Sequence, residues 1–227
     1  MEKHKIDFHK IIWYFTIFSV IGLMIETIFC YITTGVLESR KGLLIGPFCP
    51  VYGVGAALLI VLLNNYKKEY LKLFIIGAIV GNVIEYMLSY ILEAYYGTRF
   101  WDYSFIDWNL NGRVCIKYSI FWGILAVVLI RWIQPKVDNV IKKINEKVDK
   151  YITIFFIVNS ILTVFAITNY QNRIEAMFYN EEKNNVNDIA QKMFPNEMMI
   201  KIFPNLRYVD NEGKEYYIKE LVNYFNK

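Results

Sequence analysis

Apolar residues run along this chain in blocks rather than at helical or strand period. Each block comes close to the ~20 residues that carry an α-helix across a bilayer. Five blocks stand out, over residues 11–33, 43–63, 71–92, 114–133 and 151–168. They predict an all-α polytopic membrane protein with about five transmembrane helices over 11–168, behind a short N-terminal tail, 1–10. The fifth block is short and carries Asn159. Residues 169–227 are polar, nearly charge-balanced and rich in Asn. Within them, Asn205–Val209, the turn residues Asp210–Gly213, and Lys214–Ile218 read as a hairpin. So short a segment is marginal as an independent core. The reading is a small α/β tail that rests on the membrane domain.

Polar residues inside the blocks are the exceptions to explain. Glu26 closes Gly22-Leu23-Met24-Ile25-Glu26, and Glu85 closes Gly81-Asn82-Val83-Ile84-Glu85. A carboxylate at the centre of an inserting helix costs roughly 2.5–3.5 kcal/mol on translocon scales, so an intramembrane acid implies a use. Aligning the two acids also matches Gly22 with Gly81, Ile25 with Ile84, Tyr31 with Tyr90, Ile32 with Ile91 and Arg40 with Arg99. This suggests a parallel two-hairpin repeat of the kind used by several transporter folds. Before the second block, residues 42–55 hold Gly42, Gly46, Gly53 and Gly55 with Pro47 and Pro50, a composition that cannot start a regular helix. Broken backbone at membrane depth survives only when buried in protein or lining a cavity.

Charge sets the orientation. Lys3, Lys5 and Lys10, then Lys67, Lys68 and Lys72, then Arg131, Lys136, Lys142, Lys143, Lys147 and Lys150 fall on one side. Arg40, Lys41, Arg99 and Arg113 fall on the other. The richer side is cytoplasmic, so the N-terminus is expected on the inner side of the cell membrane and, after five spans, the tail outside; with the fifth segment on the surface instead, the tail is cytoplasmic. The first block has a basic flank like a secretory signal. It is too long and carries Glu26, so it reads as a retained helix. Residues 136–150 place Val137, Val140, Ile141, Ile144 and Val148 at helical spacing, which predicts a basic amphipathic helix, either a solvated connector or one facing the anionic leaflet or a cytoplasmic partner.

Cys30, Cys49 and Cys115 make no metal or disulfide pattern, and His4 and His9 sit together near the N-terminus, so no metal and no cofactor is expected. There is no P-loop, no nucleophile elbow and no zincin motif, so an enzyme is not expected. Nothing suggests nucleic acid. The chemistry rests on a polar set toward the external side: Glu26, Glu85, Glu93, Lys41, Arg113, Asp102, Trp101 and Tyr52. Two readings stay open. The acids form ion pairs that lock helices, for instance with Arg113 or Lys117, or they bind a cation, a proton or a substrate amine, where burial raises a carboxyl pKa. Trp101 and Trp108 also fit an aromatic belt at headgroup level.

Four segments, in order, carry a resemblance: Gly42 to Gly53, Phe100-Trp101-Asp102-Tyr103-Ser104, Asn109-Leu110-Asn111-Gly112-Arg113, and Ser119-Ile120-Phe121-Trp122-Gly123. With the two Gly-x-x-x-Glu spans, they resemble the bacterial type IV ABC-transporter permease family over residues 8–140. The stretch Phe203–Arg207 looks like an extension found in some members. Where the family reads Asn-Arg-Gly-Phe-Leu, this chain has Arg40-Lys41-Gly42-Leu43-Leu44, and Lys41 lacks the planar fork of Arg. The resemblance implies a membrane permease component, working with a separate ATPase subunit on a cytoplasmic face made by 64–72 and 134–150, and open to homo-oligomerisation. Two rivals remain: a binding or accessory protein that moves nothing, and a carboxylate-dependent membrane enzyme acting on lipid or cell-wall precursors.

Overall fold

A computed structural model describes residues 6–96, 102–179, 188–210 and 214–225. Long helices dominate: α1 (Phe8–Thr34), α2 (Pro50–Leu63), α3 (Tyr70–Tyr96), α4 (Ile116–Val128), α5 (Gln134–Ile141) and α6 (Asp149–Phe178). Between α3 and α4 lies a small hairpin, β1 (Asn109–Leu110) and β2 (Val114–Cys115). The tail folds as α7 (Asp188–Met193), α8 (Asn196–Ile202), β3 (Arg207–Val209), β4 (Glu215–Tyr217) and α9 (Ile218–Phe225). Among the described residues, four stretches are long and apolar enough to cross a membrane: Phe8–Thr34, Tyr70–Ile91, Ile116–Ile141 and Glu146–Phe178. The all-α polytopic expectation holds. The second block is the exception, because only Pro50–Tyr66 is helical there.

Two compact units divide the chain: Met1–Phe18 with Tyr52–Asp149, and Ser19–Val51 with Lys150–Lys227. In the first, α3 and α4 pack closely through small residues. A Cβ on Gly77 would collide with Ala126, one on Gly81 with the Trp122 indole, and one on Gly123 with Phe74. Such small-residue faces let membrane helices approach where no hydrophobic drive exists between them.

One end of this unit is a belt of side-chain hydrogen bonds that gathers the termini of every long helix in it. Tyr14 of α1 donates to Asp138 of α5, and Gln134 donates to Tyr14 (3.3 Å) and to Asn64 at the end of α2 (3.0 Å). Arg131 donates to the Lys67 carbonyl and to the Tyr70 hydroxyl at the start of α3, both at 2.6 Å. His9 lies 2.8 Å from the Asp149 carboxylate that opens α6, and the Trp13 indole donates to the same group at 2.9 Å. Thus α1, α3 and α6 begin where α2 and α5 end. The chain returns to its starting end through α2 despite that helix's 14 residues.

Arg131 reaches this belt from a π-turn, Leu129–Ile133, in which the Gln134 N–H bonds Leu129 O, five residues back. Pro135 follows and cannot donate, so the register of the helix is free to slip there. The predicted amphipathic helix over 136–150 is corrected: α5 stops at Ile141, and a turn follows. Asn145 sits in extended backbone and accepts from Lys147 N–H (2.9 Å), a capping interaction that starts a new helical segment. Val137 and Ile141 are buried, whereas Val140 and Val148 face outward.

In the second unit, residues 35–49 form a non-helical loop laid on α6. Asn159, which weakened the fifth block as a span, is 1 % exposed and reads the loop backbone at both ends of Ile45. Its Oδ1 accepts from Ile45 N–H (3.1 Å), and its Nδ2 donates to Ile45 O (2.8 Å). Thr163, one turn on, accepts from Leu44 N–H at 3.1 Å. Phe48 packs edge-on against Phe155 and Phe156. Cys49 N–H bonds Ser19 O, and Gly42 N–H bonds Phe48 O. This is how the broken backbone of residues 42–49 is satisfied inside protein. The expectation that the whole 42–55 stretch cannot start a regular helix is corrected: α2 begins at Pro50, where a proline needs no hydrogen-bond partner for a missing N–H in the first turn.

The tail shares this unit. Leu44, Ala166, Tyr170 and Ile174 pack with Phe194, Met199, Tyr208, Ile218 and Val222 in one core. Arg173, 2 % exposed, donates to Phe194 O (2.8 Å) and to Asn196 (3.1 Å). β3 and β4 pair antiparallel with Tyr208 opposite Tyr216, as the sequence pattern suggested.

Candidate functional site

A polar stripe runs along α3 at helical spacing: Asn82, Glu85, Ser89 and Glu93. Glu85 is nearly enclosed, at 9 % exposure. Its two oxygens accept from Tyr103 Oη and from Trp122 Nε1, each at 2.9 Å. Gly81 makes this possible, since only a residue without Cβ lets the Trp122 ring lie against α3 one turn before the acid. Burial, reinforced by the bond to Glu85, pushes the Tyr103 phenol well above its ordinary range, so it stays a donor. Tyr103 is stacked on Tyr118 at 4.6 Å. Asn82 donates to Ser119 (2.7 Å), while its own carbonyl oxygen is buried without a hydrogen-bond partner.

One turn further, Arg113 enters from the loop. The chain reverses at Asn111-Gly112, both at positive φ (55° and 69°), and Arg113 N–H bonds Leu110 O at 3.0 Å. Asn-Gly is the dipeptide that such a turn favours. Arg113 is 8 % exposed, donates to Ser89 (3.0 Å), and forms an ion pair with Glu93. Its guanidinium also lies over the Tyr86 and Tyr90 rings, at 5.7 and 5.5 Å. Such contacts strengthen when water is excluded. The expected ion pair between Glu85 and Arg113 or Lys117 is therefore corrected. Two neutral donors hold Glu85, Arg113 belongs to Glu93 and Ser89, and Lys117 lies over Tyr118 at 6.0 Å.

Glu26 belongs to the other unit, half-buried on α1. Arg40 supplies its nearby positive charge. Arg40 donates to Cys30 Sγ at 2.7 Å, one turn past Glu26, much as Arg113 donates to Ser89 one turn past Glu85. Arg99, the repeat partner expected for Arg40, lies outside the described residues, as does Trp101.

The other predicted positions separate. Asp102 is exposed and closes a turn, accepting from Ser104 N–H (2.9 Å) and Oγ (2.6 Å). Lys41 is half-buried on the loop of the second unit, and Tyr52 sits on α2 in the first, 39 % exposed. Trp108 projects outward at 81 % exposure, consistent with an interfacial belt. Of the set, Glu85, Glu93 and Arg113 come together. Tyr103, Trp122, Ser89 and Asn82 complete the cluster and were not in it. The three-four spacing on α3 and the Asn-Gly turn were the signals for them. A cleft of about 400 Å³ along α1 and α2, lined by Phe8, Ile11, Phe15, Val54, Leu58 and Val61 among others, is apolar throughout and holds none of this chemistry.

Among the described residues, four long apolar helices define a polytopic membrane protein. The model of the family described as "Putative ABC-transporter type IV" matches residues 13–168, and the chain belongs to that family. The match reaches through the fifth block, beyond the 8–140 of the motif resemblance, and stops before the tail. No curated protein and no solved structure matches the chain.

Proposed function

We propose that this protein is the membrane-spanning permease component of an ABC-type transporter for a small molecule, and not itself an enzyme. Family membership supplies the class. The observation that carries the reading is the Glu85 cluster. An acid inside an apolar helix is ringed by oriented donors, beside a buried arginine that answers to its own acid. Charged groups kept at this depth mark substrate or ion paths. The belt of helix ends supports five crossings. With the N-terminal end of α1, the end of α2 and Asp149 gathered in that belt, we read α2 as a returning span. The basic bias then puts the belt on the cytoplasmic side of the cell membrane.

On that side, residues 64–72 and 134–150 form the docking face for a separate ATPase. They offer exposed Lys142, Lys143 and Lys147 around the turn that ends α5. The test is purification from native membranes followed by ATPase assay. A P-loop ATPase should accompany the chain, and charge reversal at Lys142, Lys143 and Lys147 should release it. Recovery of the chain free of any ATPase, together with substrate accumulation in vesicles without ATP, would overturn the proposal.

A further inference from the structure

The tail touches the chain's own loop at residues that bear on Glu26. Lys219 of α9 bonds Glu38 at 3.0 Å, and both side chains are largely enclosed, at 33 % and 23 % exposure. Asn205, with its amide oriented to satisfy both neighbours, donates to Glu38 (3.1 Å) and accepts from Arg40 (3.3 Å). Arg40 in turn donates to Cys30, and Glu26 lies within its electrostatic reach. An apolar contact works beside these polar ones: Leu44, from the same loop, is buried in the tail's core with Tyr170, Tyr208 and Ile218. The loop is therefore gripped on two sides, by Asn159 and Thr163 of α6 and by the tail.

We propose that the C-terminal tail is a built-in latch on this loop, with Lys219 and Asn205 acting as positioning residues that fix Arg40 against the Glu26–Cys30 turn of α1. The latch sets whether the Glu26 end of α1 is open to solvent, independently of what the protein transports. The family match ends at residue 168, so the latch is an addition to the shared membrane part. An isolated surface ion pair is worth little. This one gains weight from being partly buried and from sharing Glu38 with a second donor. Removing one partner leaves the others facing an unmatched group.

Cys30 reports on the latch, because it is 3 % exposed and covered by Arg40. In the full-length chain with Cys49→Ser and Cys115→Ser, the rate of Cys30 labelling by a water-soluble maleimide is measured in membranes. Lys219→Glu and Asn205→Leu should each raise that rate at least tenfold, and the exchange Glu38→Lys with Lys219→Glu should bring it back toward the parent. Helix content and detergent size-exclusion profile should stay at parent values. If Lys219→Glu fails to fold, Lys219→Gln and Glu38→Gln serve the same comparison. Labelling at the parent rate in the single variants overturns the latch. So does accelerated labelling that the charge exchange leaves unreversed, since that marks general loosening.

Discussion

Replacing Asn159 by Ala removes a two-point grip on a loop that has no secondary structure of its own. The side chain makes two hydrogen bonds to the Ile45 backbone, at 3.1 and 2.8 Å. A buried bond is worth about 1 kcal/mol net, and a group left unsatisfied costs about 1–3 kcal/mol. Between transmembrane helices the measured figure is smaller, averaging about 0.6 kcal/mol, because the separated helices find other partners. That relief is poor here, because the orphaned groups are the N–H and C=O of one non-helical residue. In hydrocarbon such groups can turn only to protein. Asn159→Ala should therefore cost about 2–4 kcal/mol, and Thr163→Val, which releases the single bond to Leu44 N–H, about half that. Unfolding in mixed micelles, followed by circular dichroism against rising SDS fraction, gives the values. Cys49 labelling reports the loop locally, since the Cys49 N–H is bonded to Ser19 O within the same unit. An Asn159→Ala protein within about 0.5 kcal/mol of the parent, with Cys49 labelled no faster, would refute the account of how this loop is held.

Gly81→Val should drive the Trp122 indole away from α3, costing about 1–3 kcal/mol of overpacking and changing tryptophan emission as Nε1 loses Glu85. Glu85→Gln should fold normally, because Gln can still accept from Trp122 and donate to the Tyr103 hydroxyl. It should nevertheless lose activity in whatever uptake assay the substrate allows, whereas Glu85→Leu strands both donors and should also lower stability by about 2 kcal/mol or more. Tyr14→Phe, which leaves Asp138 and Gln134 short of a partner in the belt, should destabilise by about 1–3 kcal/mol on the same micelle titration. Lys219, aided by Asn205 and Arg40, holds the Glu38 carboxyl below its usual range. Its contribution is thus present above the ordinary Glu value of about 4.3 and lost as pH falls through the lower folded value. The difference in unfolding midpoint between the parent and Glu38→Gln should be level from pH 6 to 8 and shrink only in acid.

The long helices were legible because hydrocarbon admits few solutions: a block of apolar residues with every backbone group bonded within it can only be helix. The α2 segment shows where that logic stops. Composition marked Gly42–Gly55 as broken backbone, which holds to Cys49 and fails from Pro50, where α2 starts, and it could not say that Asn159 and Thr163 would come from over a hundred residues away to satisfy Leu44 and Ile45. The same limit applies to the acids. Intramembrane position singled out Glu26 and Glu85, and charge pairing then suggested Arg113 or Lys117. The structure resolves Glu85 through a phenol and an indole, because a glycine one turn earlier brings Trp122 closer than any ammonium. Arg113 goes to Ser89 and Glu93 because the Asn111-Gly112 turn delivers it one to two helical turns beyond Glu85 along α3. Sequence periodicity fixes which side chains share a face. Which of them meet depends on how closely two helices approach and where a turn points. The Glu26–Arg40 and Glu85–Arg113 neighbourhoods make this concrete: the spans share Gly, Ile and Glu at the acid turn, yet the two arginines come from loops at different distances along the chain.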